Sequence, residues 1–71
     1  MTKTENIIYR STVTRVLYFQ KNKFDKYVIL DYVDGVVNKA RKSSICSDEL
    51  LSQLFDIRQK VLLEKEVKIG G

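Results

Sequence analysis

A chain of 71 residues and 8.3 kDa has room for one domain, because soluble domains run roughly 50 to 200 residues, and the whole of 1–71 is read as a single unit. With one cysteine, Cys46, and neither histidine nor tryptophan, the composition excludes an internal disulfide, the His/Cys clusters of zinc sites and any histidine general base. Its 13 Lys and Arg against 9 Asp and Glu leave a net charge of +4, which favours nucleic acid or acidic protein surfaces as partners.

The first element read from the N-terminus is a strand hairpin. Residues 7 to 20 are rich in Thr, Val and Tyr, and the polar Lys21, Asn22 and Lys23 before Phe24 and Asp25 suit a turn. A β-branched and aromatic run from Tyr27 to Val33 gives a second strand over 26 to 34. Asp34-Gly35, flanked by Val33 and Val36, is a type I′ turn signal, since glycine accepts positive φ without penalty. A third strand follows over 36 to 43.

These turns set a register that places Val13, Leu17, Phe19, Tyr27, Ile29, Val33, Val36 and Ala40 on one sheet face, with Arg15 opposite Asp31. Val16, Tyr18, Val28, Leu30, Tyr32 and Val37 fall on the other. Two apolar faces on a three-stranded antiparallel sheet imply that one of them meets another chain, so a homodimer is expected.

The C-terminal third reads as an amphipathic helix over 48 to 65. Ser47 is its N-cap, Asp48 and Glu49 suit the positive end of the helix dipole, and Lys60 and Lys65 lie near the other end. Leu50, Leu54, Ile57 and Val61 fall on one stripe, with Leu51, Phe55 and Leu62 adjacent. Val67 and Ile69 then alternate with Glu66 and Lys68 as a short final strand would. Gly70-Gly71 is similar to the diglycine ends of ubiquitin-like conjugation and sulfur-carrier proteins. The expected order of three strands and then a helix departs from the β-grasp order of those families, and a frayed tail is the expectation. The fold class is therefore α+β: a three-stranded antiparallel sheet followed by one helix.

Two surfaces stand out as functional candidates. Arg58 lies in the apolar sector of the helix beside Leu51, Phe55 and Leu62, and a desolvated arginine of this kind suits a protein interface. Lys21 and Lys23, with Lys26 nearby, and the cluster Lys39, Arg41 and Lys42 form basic strips that suit a phosphate backbone. Ser43, Ser44, Cys46 and Ser47 are nucleophiles by type only, as no histidine activates them. The leading expectation is a non-catalytic protein-binding module, an inhibitor or adaptor of the size that phages and mobile elements encode. The alternative is a small basic nucleic-acid-binding protein. No enzyme activity, metal or cofactor is expected. The N-terminus lacks a signal-peptide pattern and no segment has the apolar length of a membrane span, so a cytoplasmic location without membrane association is expected.

Overall fold

The segments that read as hairpin strands are helices. A computed structural model describes residues 1–44 and 46–69, and among them there is no strand. Helix α1 spans Lys3–Lys21, α2 spans Lys26–Lys42 and α3 spans Asp48–Leu62. The α+β expectation is thus overturned in favour of an all-helical three-helix bundle. Of the sequence-based elements only the helix expected over 48 to 65 keeps its type, ending at Leu62, with Ser47 Oγ accepting from the Leu50 N–H at 3.2 Å as N-cap.

Capping chemistry explains where α1 and α2 begin. Thr2 and Glu5 form a capping box: Thr2 Oγ1 accepts from the Glu5 N–H, and Glu5 Oε1 accepts from the Thr2 N–H. Asp25 starts α2, its Oδ1 accepting from the Tyr27 N–H at 3.1 Å. Helices α1 and α3 end alike. At the end of α1, Lys23 takes a left-handed φ of 58°, its N–H donates to Gln20 O, and the Phe24 N–H reaches back to Phe19 O. Glu64 repeats this geometry after α3, where the Lys65 N–H donates to Lys60 O. In the first of these Schellman closures the Phe24 ring stacks on Phe19 with centroids 4.8 Å apart, the apolar contact that accompanies the motif.

One core lies between the helices. Val13 and Val16 from α1, Ile29, Leu30, Val33 and Val37 from α2, and Leu50, Leu54, Ile57 and Val61 from α3 are all buried in it. Val13, Ile29, Val33 and Ala40 from one sheet face of the register and Val16, Leu30 and Val37 from the other therefore converge on a single interior, while Tyr27 of the first face stays exposed. Of the second apolar face that motivated a homodimer, Val16, Leu30 and Val37 are buried within the chain, whereas Tyr18 and Val28 remain exposed. Thr12, also buried, satisfies its hydroxyl by donating to Ile8 O at 2.7 Å.

Two side chains lash the remaining segments to this bundle. Gln20 brackets the stretch after α3, its Nε2 donating to Lys65 O at 2.9 Å and its Oε1 accepting from the Val67 N–H at 3.2 Å. Val67 is buried by that bracket, so the alternation around it reflects one inward anchor and not a final strand. Glu5, also buried, carries its second carboxylate oxygen to the Ser47 N–H at 2.8 Å, joining the start of α1 to the cap of α3. The tail expected at Gly70 and Gly71 lies outside the described residues.

Gly35, expected at a tight turn, sits instead mid-way along α2 without a left-handed φ, exposed, and with nothing within 4 Å of where a Cβ would project. Glycine costs roughly 0.8 to 1 kcal/mol relative to alanine inside a helix, because it loses more backbone freedom on folding. Gly35→Ala is therefore expected to stabilise the protein by about 0.5 to 1 kcal/mol in urea unfolding. A hairpin turn at this position would give the opposite sign.

Candidate functional site

Helix geometry sorts α1 into two unlike sides. At about 100° per residue, Glu5, Thr12, Val13 and Val16 face inward, and the opposite sector of about 140° carries Lys3, Arg10, Arg15 and Lys21. Ile7, Ser11, Thr14 and Tyr18 lie among these cations, all of them exposed. The only carboxylate on α1 is Glu5, which is buried and engaged by two backbone N–H groups. The outer face of the helix therefore shows positive charge without a neutralising partner of its own. None of its four cations enters an ion pair among the described residues. From Lys3 to Lys21 they extend along about 27 Å of helix at 1.5 Å per residue.

The turn after α1 continues this surface. Lys21 and Lys23 are exposed there, Lys26 is half-buried, and the Nζ of Lys26 lies 5.6 Å from the Tyr27 ring centroid. Tyr18, Phe24 and Tyr27 are all exposed at this end of the bundle. Between the end of α1, the start of α2 and the segment after α3 there is a cleft of about 290 Å³ lined by both Lys21 and Lys26.

The sequence-derived candidates are distributed differently. Lys39, Arg41 and Lys42 occupy the last turn of α2, where cations complement the helix dipole. They lie about 20 Å along the helix axis from Lys26, so the two basic clusters do not merge into one strip. Arg41 is further engaged over the Phe55 ring, with its guanidinium carbon 5.5 Å from the centroid. Arg58 projects from α3 to α2, its Nε donating to Asp34 Oδ1 at 2.8 Å with both side chains more than a third exposed. Leu51 and Leu62 pack half-buried against the core, leaving Phe55 as the exposed apolar member of that group. Leu51, Phe55, Arg58 and Leu62 share one stripe of α3, on which Phe55 is the exposed apolar member and Arg58 is paired with Asp34. The cross-strand Arg15–Asp31 pair that the register required is not among the ion pairs.

Arg10 does not figure among the residues that sequence reasoning singled out, and Arg15 figures only as a cross-strand partner of Asp31. Their signal was present: from Asn6 to Phe24 there is no acidic residue, yet the stretch contains Arg10, Arg15, Lys21 and Lys23. Reading residues 7 to 20 as strand put Arg10 and Arg15 on opposite faces and left Lys21 and Lys23 apart in a turn.

Fold and surface together define a small three-helix bundle with one basic, acid-free helix face. Comparison with protein-family models, curated proteins and solved structures found no match. No helix among the described residues is long and apolar enough to cross a membrane, and no metal-binding group of His, Cys, Asp and Glu occurs among them.

Proposed function

We propose that the protein is a non-catalytic module that grips the phosphate backbone of nucleic acid with the outer face of α1. The observation that carries this reading is the set of exposed, unpaired cations Lys3, Arg10, Arg15 and Lys21 on a helix with no exposed carboxylate. Cations already neutralised inside the protein gain little from a phosphate. These four release the counterions of the nucleic acid when they bind it, which is the main source of sequence-independent affinity. The protein-partner reading has less to support it, because part of the Arg58 guanidinium is already engaged by Asp34 within the chain.

Fluorescence anisotropy with labelled oligonucleotides tests the proposal. Four phosphate contacts predict a slope of log affinity against log salt of about −3 to −4, with Arg10→Ala and Arg15→Ala each reducing it by about one. Arg58→Ala should leave the slope unchanged and cost less than about 1 kcal/mol of stability, as a part-exposed ion pair does. Absent binding at about 50 mM salt, where such contacts are strongest, would refute the reading. Capture of a protein from nuclease-treated lysate that depends on Arg58 would restore the adaptor alternative.

A further inference from the structure

Resting on that reading, we infer that the nucleic acid is single-stranded and that one unpaired base enters the cleft at the end of α1. Leu17, Ile29 and Val61 give the cleft an apolar floor, with Ile29 and Val61 almost wholly buried. Phe24 lines it as well. One face of its ring is taken by Phe19, yet the residue stays 45% exposed, which leaves ring surface for a base to stack on.

Charge decides what fits inside. Lys21 and Lys26 line the α1–α2 side of the cleft, and Glu64 and Glu66 come from the segment after α3. A phosphate placed between them meets two carboxylates as well as two lysines, so it gains less there than on the carboxylate-free face of α1. A neutral, flat heterocycle meets no such opposition, and the exocyclic amino groups of cytosine and adenine donate hydrogen bonds to carboxylates. The flanking phosphates then fall to Lys21 and Lys26. Lys21 belongs both to the basic face of α1 and to the cleft, so a strand following that face is led into it. A base within a duplex has both faces stacked and its pairing edge occupied, and cannot enter without being flipped out at a cost of a few kcal/mol.

The experiment uses the whole chain and labelled oligo(dC), oligo(dT) and duplex of about twelve nucleotides, within the site size of small single-strand binders. Oligo(dC) should bind about tenfold more tightly than duplex and several-fold more tightly than oligo(dT), whose O4 would face the carboxylates. Phe24→Leu keeps an apolar contact on Phe19 and removes the stacking surface, so it should weaken single-strand binding by about fivefold or more and leave duplex binding unchanged. Because Phe24 also closes α1, its variant is checked by thermal melting. Independently of any variant, a 2-aminopurine placed in the strand should change its fluorescence on binding the wild-type protein. Equal affinity for single strand and duplex, with silent 2-aminopurine, overturns base insertion and leaves the α1 reading standing. No binding to either form overturns both, as does binding to anionic vesicles in place of oligonucleotides.

Discussion

Leu54→Ala is expected to destabilise the protein by about 3 to 5 kcal/mol, the range for deleting a buried leucine when the site collapses only in part. Leu54 is fully buried in α3, and its side chain fills the core shared by all three helices. A chain of 71 residues has a total stability of about 4 to 10 kcal/mol at the usual 0.05 to 0.15 per residue, so this one substitution removes a large share of it. Urea unfolding followed by circular dichroism measures the loss. Val13→Ala and Val16→Ala belong to the same test, because a strand would put these two positions nearer opposite faces, whereas in the bundle both are almost completely buried. Each should cost about 1.5 to 3 kcal/mol, for two methyl groups lost and a cavity left. A cost below about 1 kcal/mol at either valine would mean that α1 does not pack as described.

The third helix was legible because all its signals agree: an N-cap serine, acids in the first turn, and an apolar stripe whose four members are all buried. Over α2, two kinds of signal conflicted. Local propensity in Tyr27–Val33 and the Asp34-Gly35 pair favoured a hairpin. The spacing of Ile29, Leu30, Val33, Val37 and Ala40 has helical period and runs straight through that pair, and burial follows the spacing. Packing an apolar face outweighs propensities of a few tenths of a kcal/mol per residue. A sheet with two apolar faces was itself the clue, since a helix gathers most of both sets, such as Ile29, Leu30, Val33 and Val37, onto one side. In α1 the Thr2 and Glu5 spacing is a capping box that composition alone does not reveal. The basic site was legible only in part, because grouping Lys21 with Arg10 and Arg15 needs the helical angle. The cleft was not legible at all. Its walls come from three segments, joined where Gln20 holds the chain after α3, and no local pattern announces such a bracket.

Acid should unfold the protein through Glu5. Hydrogen bonding from the Ser47 side chain first, then from the Thr2 and Ser47 backbone N–H groups, outweighs the effect of burial and holds the Glu5 pKa down to about 2 from an ordinary 4.5. The Met1 ammonium, paired with Glu49, adds a favourable charge nearby. A carboxyl whose folded pKa is depressed stabilises the folded state fully above its unfolded value and progressively less as pH falls towards the folded one. The contribution of Glu5 is therefore complete above pH 4.5 and declines from there to about pH 2. Glu5→Gln keeps the shape of the side chain and an acceptor oxygen but removes the charge. It should be less stable than wild type at neutral pH, and the gap should close as acid protonates the wild-type carboxyl. Urea midpoints of both proteins between about pH 7 and pH 2 measure this gap. A gap that stays constant over that range would mean that Glu5 acts by packing alone. A gap that closes assigns it to the charged bonds tying the first helix to the cap of the third.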